Sequence, residues 1–385
     1  MIKFGWRSSL LYPSLFILFI GLRRLIKHIL ETYVAKGYKF SYLMIILMYI
    51  CEVIIGIICL CFRKKNNAGR VSKFMGIPML PELAAVLNRP DGNFKIIILI
   101  FFEAFFQFVG AISRRYVTNK SNKDIYDEFH AKYRSSEIII ASILCYFTLN
   151  NKIYKHHIFS LMIIFICLII VFTVSLVLDD NDNFDDDLLL IYIGVTLVSS
   201  TCRAFLDTIE KYLFTVDYAD IMKLMIFEGI IDIILSSPLY LFKKPRSEID
   251  RLFDIEGFKY WGVVGLLIIY SIFSGCKNVY RRYTVKEFTP MTRALAESIL
   301  DPLFIISGFC QNDEAKNWKN WTNFITSLVC SIIMVFCSCI YNEVFVLYCC
   351  GLEKNTHLEA SYKTTSIELS SDSERSSRID DYASM

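Results

Sequence analysis

The chain has 385 residues, 55% of them hydrophobic, 15% aromatic and 21% charged, with a formal net charge of +3. Its mean hydropathy is +0.45, and the apolar residues fall in long blocks rather than amphipathic or alternating patterns, which is the composition of an all-α polytopic membrane protein. The basic residues cluster beside those blocks and form no surface stripe, which argues against nucleic acid as a partner.

Nearly all of the 13 cysteines lie in or at the edges of apolar segments, among them Cys51, Cys59, Cys61, Cys167, Cys330, Cys337 and Cys339. They read as small hydrophobes and not as a disulfide framework, and with no CxxC pair or His/Cys ligand spacing neither a metal nor a cofactor is expected.

In chain order, the first apolar block (10–33) has a polar second half with Arg23, Arg24 and Lys27 and is expected to stay as a signal anchor. Segment two (42–62) contains Glu52 and Gly56 and stops at Arg63-Lys64-Lys65, before a Gly- and Pro-containing loop. Segment three (94–112) carries Glu103 and Gln107 and ends at Gly110 and Arg114-Arg115-Tyr116. Segment four (135–149) is short and follows a polar stretch; short, interrupted segments are typical of transporters. Segment five (158–178) is almost purely apolar, running from Lys152, Lys155, His156 and His157 to the acidic run 179–187. Segments six to ten are predicted over 188–208, 221–242, 261–280, 290–309 and 321–348, giving about ten spans.

An even number of spans puts both termini on one side. The contrast across segment five, basic at one end and free of Lys and Arg in 179–187, favours cytosolic termini. The sequons Asn119-Lys-Ser and Asn320-Trp-Thr then fall in lumenal loops, which makes Asn119 a candidate glycosylation site.

Three features recur in the same order in the two halves. Arg114-Arg115-Tyr116 is matched by Arg281-Arg282-Tyr283, Glu52 with Gly56 by Glu228-Gly229, and Arg134 with Glu137 by Arg293 with Glu297. A duplication of five segments would invert the second half in the membrane, the arrangement that opens a central site to each side in turn. Arg-Arg-Tyr at a helix end is equally an interfacial anchor. The expected units are a first five-helix repeat (1–178), an acidic lumenal loop (179–187), a second five-helix repeat (188–352) and a disordered cytosolic tail (353–385).

Glu210-Lys211 followed by Phe227-Glu228-Gly229-Ile230, the stretch from Val285-Lys286-Glu287-Phe288-Thr289-Pro290 through Arg293 to Glu297-Ser298, and residues 39–52 with their closing Glu52 resemble the drug/metabolite transporter superfamily. The branch is the one near nucleotide-sugar transporters and the solute carrier 35 F-type members. The resemblance implies ten helices in two inverted five-helix repeats, a cavity lined by helices one to four and six to nine, and helices five and ten packed outside. The chain departs from that branch in having Ile231 and Asp232 after Gly229-Ile230, where a small residue is common.

A charge near the centre of a membrane helix costs roughly 2.5–3.5 kcal/mol on insertion scales, so the charges retained here are the candidate functional residues. Lys277 has no acid three or four residues away in its own helix and is the first choice for a substrate or gating cation. Arg293 and Glu297, four apart, either bind and gate an anionic group or pair with each other. Glu52, Glu103 and Gln107 either line the cavity or join interhelical hydrogen bonds, and Asn278 completes the substrate-binding set. Arg203 and Asp207 are expected to satisfy one another, the alternative being a part in coupling or gating. Glu228 and Asp232, two acids on one face, suit a shared proton and hence proton or ion coupling. His156-His157 reads as an interfacial basic anchor, and Thr289-Pro290 marks a helix start.

The tail carries Ser366, Ser370, Ser371, Ser373, Ser376 and Ser377 among acids and ends Tyr382-Ala-Ser-Met385. It is expected to be phosphorylatable and to offer a sorting adaptor a tyrosine-plus-hydrophobic signal, favouring a lysosomal or Golgi endomembrane over the plasma membrane. The oligomeric state is open between monomer and homodimer. The expected function is a multipass transporter that moves a small polar or charged metabolite by alternating access. The alternative is a non-transporting receptor or scaffold whose intramembrane charges are structural pairs. No enzyme is expected, since no nucleophile-base arrangement or His/Asp motif appears.

Overall fold

In lipid every backbone N–H and C=O must be satisfied within the chain, and the apolar blocks meet that demand as helices. The computed structural model describes residues 11–30, 40–67, 93–120, 132–178, 186–215, 220–241, 248–250, 252–253, 258–311 and 318–345. The described helices are α1 (Leu11–Ile29), α2 (Ser41–Asn67), α3 (Asn93–Lys120), α4 (Ser136–Leu149), α5 (Lys155–Leu178), α6 (Asp186–Thr215), α7 (Ile221–Ser236), α8 (Phe258–Glu287), α9 (Pro290–Ser298), α10 (Asp301–Gln311) and α11 (Trp318–Tyr341). A 3₁₀ turn, Ser237–Leu241, prolongs α7. The protein is all-α and membrane-embedded. Five described helices, α2, α3, α5, α8 and α11, are long and apolar enough to cross a bilayer. The others depart from that standard for visible reasons: Arg23, Arg24 and Lys27 interrupt α1, α6 carries Arg203, Asp207, Glu210 and Lys211, and α4, α7, α9 and α10 are short. The loop 68–92, the acidic run 179–185 and the tail from 346 onward lie outside the described residues.

Local chemistry sets several boundaries. Asp220 caps α7, its Oδ1 accepting from Met222 N at 2.9 Å and Lys223 N at 3.4 Å. Thr289 caps α9 through Thr292 N at 3.1 Å, with Pro290 in the first helical position, where its missing N–H costs nothing. The ninth predicted segment is split into α9 and α10 by a turn at Ile299 and Leu300. Pro302 supplies the cause, since a proline near the start of α10 cannot continue the hydrogen-bond ladder of α9. Helix α8 runs on to Glu287 and α3 to Lys120, so both Arg-Arg-Tyr triplets lie inside helices rather than at their ends.

α5 and α11 pack on each other along their length, with Ile164, Cys167 and Val171 meeting Cys330, Met334 and Cys337 in one apolar cluster. Their outer faces leave Met162, Phe165, Val177, Ile325 and Ile332 exposed, as a lipid-facing surface requires. The central contacts run α2 to α7, α2 to α8, α3 to α6, α3 to α7, α1 to α8 and α4 to α6. Ser142, Ser160, Thr208, Ser271, Ser298 and Ser338 each return their hydroxyl to the carbonyl four residues back. This keeps a polar hydrogen satisfied without a partner helix.

The approach of α2 to α7 rests on glycine. A Cβ on Gly229 would stand 2.8 Å from Val53 Cγ2 and 3.5 Å from the Tyr49 carbonyl oxygen, and one on Gly56 would stand 2.7 Å from Ile226 Cγ1. Close helix contact through small residues is the usual way to gain packing where no hydrophobic drive exists between helices. Gly229→Val is therefore expected to destabilise the protein by about 1–3 kcal/mol through overpacking. Gly265→Ala, where no atom lies within 4 Å of the added carbon, is expected to gain about 0.5–1 kcal/mol. Thermal unfolding of both variants in one detergent checks the pair, and equal midpoints would remove the close-packing argument.

Candidate functional site

Arg293, on the second turn of α9, is 2% exposed and meets three carboxylates from three helices. Its Nε donates to Asp207 Oδ2 on α6 at 2.5 Å and its Nη1 to Glu297 Oε2 on α9 at 3.0 Å, while Nη2 reaches Glu137 on α4 and Asp207 again. A planar guanidinium with five donors can serve several carboxylates at once, as an ammonium cannot. Arg203 Nη1 reaches the same Glu297 Oε2 at 2.7 Å. Arg134 closes the break between α9 and α10: its Nη1 lies 2.7 Å from Asp301 Oδ1 and donates to the Glu297 carbonyl at 3.3 Å.

The network continues through Asp207. Arg281 Nη1 donates to Asp207 Oδ1 at 2.8 Å and Nη2 to Glu210 Oε1 at 2.5 Å. Arg282, wholly buried, donates through Nε to Glu210 Oε1 at 2.9 Å and pairs with Glu228 of α7. An unbroken path of ion pairs thus runs from Arg203 through Glu297, Arg293, Asp207, Arg281, Glu210 and Arg282 to Glu228.

Three buried acids stand beside this path without a guanidinium of their own. Glu52 on α2 accepts from Asn278 Nδ2 of α8, and Asp232 on α7 accepts from Gln107 Nε2 of α3 at 2.8 Å. Glu103 on α3 lies against Glu210 and Glu228, the carboxylate oxygens of the three within 4.8 Å of one another. Neither Glu103 oxygen meets a hydrogen-bond donor among the described residues.

Arg203, Asp207, Glu228, Arg293 and Glu297 therefore meet on one seam, with Glu52, Glu103, Gln107, Asp232 and Asn278 beside it and with partners that spacing did not reveal. Arg203 and Asp207 do not pair with each other: Arg203 turns to Glu297, and Asp207 is taken by Arg293 and Arg281. Arg293 and Glu297 do touch, within a larger cluster. Glu228 and Asp232 have separate partners, Arg282 and Gln107. Lys277 is half-buried with its Nζ 6.0 Å from the Phe16 ring centroid, at the outer reach of a cation–π contact. Asn119 lies within α3, and nothing is described of its side chain.

Sequence reasoning passed over Arg134, Glu137, Glu210, Arg281, Arg282 and Asp301 as site residues. Arg281 and Arg282 carried a signal in lying after an apolar run that continues as helix, but Arg-Arg-Tyr also fits an interfacial anchor. Lys211, adjacent to Glu210, does something else: its Nζ donates to the carbonyls of Lys286 and Phe288 at 2.8 and 2.6 Å, capping the end of α8. His156 is buried and pairs with Glu343 at 3.4 Å, which ties the start of α5 to the chain after α11.

Removing the hub leaves three buried carboxylates facing one another. Arg293→Ala is expected to cost about 3–5 kcal/mol, the range for breaking a buried pair by deleting one partner. Arg293→Lys is expected to restore only part of it, because one ammonium cannot span the α4, α6 and α9 carboxylates. Thermal unfolding in detergent reads both.

No family model matches the chain, and no curated protein does. Among solved structures 26 chains match. One, a crystal structure of a protein, aligns with a TM-score of 0.50 at 11% identity, covering 88% of this chain and 97% of that one. At that identity the likeness concerns the fold, and it extends over nearly the whole length of both chains.

Proposed function

We propose that this protein is a transporter of the drug/metabolite type, moving a small polar or charged metabolite by alternating access between two inverted halves of five membrane segments each. The observation that carries the reading is the placement of the buried charges. Those of the ion-pair path and its flanking acids sit on α2, α3, α6, α7, α8 and α9, Glu137 adds α4 and Asp301 adds α10, and none of them sits on α5 or α11. With α9 and α10 counted as one interrupted ninth segment, the charges belong to segments two to four and six to nine. Apart from the first segment, that follows the division between cavity-lining and outer helices that the family resemblance implies.

Two further features support it. Exchanging each segment with the one five places on turns α1 against α8 into α6 against α3, α2 against α8 into α7 against α3, and α4 against α6 into α9 against α1; all six pairs pack. The pairs that map onto themselves, α2 with α7, α4 with α9 and α5 with α11, pack too. The interrupted ninth segment, with Arg134 donating to the Glu297 carbonyl at its break, is the kind of discontinuity that builds solute sites near the midplane. Cytosolic termini, a lysosomal or Golgi membrane and an adaptor-read tail belong to the same reading.

The pairing of these guanidiniums with carboxylates favours the competing class, a receptor or scaffold in which these charges are structural pairs. Ligand-dependent stability separates the two. Purified protein is unfolded thermally against nucleotide sugars, nucleotides, organic anions, amino acids and organic cations, with wild type and Lys277→Ala side by side. A solute is expected to stabilise the wild type, by about 2.7 kcal/mol at a hundredfold excess over Kd, and to leave Lys277→Ala, equally folded without ligand, unmoved. A folded protein that no compound shifts and that shows no counterflow in proteoliposomes would sink transport.

A further inference from the structure

The charges do not balance around the α2, α3, α7 and α8 contact. Glu52, Glu103, Glu210, Glu228 and Asp232 are all 0% exposed there. Against them stand Arg281, which also serves Asp207, Arg282, and the half-buried Lys277. The guanidiniums are spent on Glu210, Glu228 and Asp207, so the excess falls on Glu52, Glu103 and Asp232. These have the two carboxamides of Asn278 and Gln107 as their donors. The groups facing them from neighbouring helices are further acids and the same shared arginines: Arg281, Arg282 and Lys277 of α8 face Glu52; Glu210 of α6 with Arg281 and Arg282 faces Glu103; Glu52, Glu103 and Arg281 face Asp232.

An ionised carboxylate kept dry without a cation costs several kcal/mol even after relaxation, and a carboxylic acid costs far less. We infer that Glu52, Glu103 and Asp232 form a proton-binding site. Resting on the transport reading above, it is also the site through which proton movement is coupled to solute movement. The protonated Glu103 hydroxyl donates to Glu210, whose Oε1 accepts from both arginines, and so puts a hydrogen between two carboxyls that otherwise face each other beside the Glu228–Arg282–Glu210 chain. A divalent ion does not fit there, because Arg282 already stands between Glu210 and Glu228 with its own positive charge. The three acids come from α2 and α3 of the first half and α7 of the second. Parting of the halves would admit water to them, let the carboxyls ionise and release their protons.

The test uses the full chain in lipid nanodiscs and the proton as the probe. Infrared difference spectra between mildly acidic and mildly basic buffer are expected to show a buried carboxylic-acid C=O band in the wild type at neutral pH. The band should lose intensity stepwise in Glu103→Gln, Glu52→Gln and Asp232→Asn, isosteres that keep the shape of the protonated form. Labelling of the wild type by a hydrophobic carbodiimide, which attacks protonated carboxyls, provides a second readout that needs no variant: an adduct at Glu103, Glu52 or Asp232, lost in basic buffer, supports the site. A wild type with no such band and no adduct overturns it, as does a band unchanged in the triple variant. Sodium or magnesium that abolishes the band and stabilises the protein assigns the site to a metal cation and overturns it as well. If the band behaves as expected while no solute moves in proteoliposomes, the proton site stands and the transport reading fails.

Discussion

The guanidinium of Arg293 is the interaction on which the interior of this protein depends. It joins Glu137 of α4, Asp207 of α6 and Glu297 of α9 at one point. Each of those carboxylates alone would be an expensive guest in a bilayer-embedded interior; grouped around one delocalised cation, they become partners whose remaining lone pairs can be claimed by other arginines. Arg203 shares Glu297 Oε2 with Arg293, and Arg281 takes the other oxygen of Asp207. The cost of desolvating charges is thus offset collectively. A buried ion pair on its own is often no more stable than a well-packed apolar replacement.

The apolar part of the fold places that seam. α5 and α11 give largely apolar faces to lipid and to each other, so the charged faces of α3, α4, α6, α7, α8 and α9 meet away from the hydrocarbon. The glycines of α2 and α7 then bring two acid-bearing helices to near backbone contact, with Gly56 against Ile226 and Gly229 against Val53. That proximity is what crowds Glu52 and Asp232 toward Glu103. A bulkier α2–α7 contact would separate the acids and relieve the charge excess.

The sequence made much of the helical framework legible, because a hydrocarbon-length apolar run admits few structures other than a helix. It also marked which polar residues were unusual, since an acid or base within such a run stands out without any alignment. Partner choice was not legible. Arg203 and Asp207 are four apart on one helix, yet each finds a better-aimed group on another, and helical spacing carries no information about groups brought together across the bundle. The fate of Arg281 and Arg282 turned on where α8 ends: a helix that stopped at the apolar limit would have put them at the interface. The helix runs on to Glu287, with its last carbonyls met by Lys211, and carries both arginines into the core. The break after Ser298 was hidden for a similar reason, because Pro302 follows an acid that looked like one more polar residue on a helical face.

A network of shared partners also responds to change differently from a set of isolated pairs. Asp207 bonds two arginines, Glu210 two, and Glu297 two, so the loss of one link leaves each of these three carboxylates with another. Coupling energies within such a network are not sums of pairwise values. An arginine with five donors can move from one carboxylate oxygen to the next without passing through an unpaired state. The guanidinium path can therefore yield in small steps when the helices around it shift. Among the described residues the three acids beside it have one donor each or none, so any opening there changes their hydration at once. The seam thus combines a path that keeps its partners as it moves with a group of acids that cannot, and that difference sets the acids, more than the arginines, as the part of the interior most sensitive to conformation.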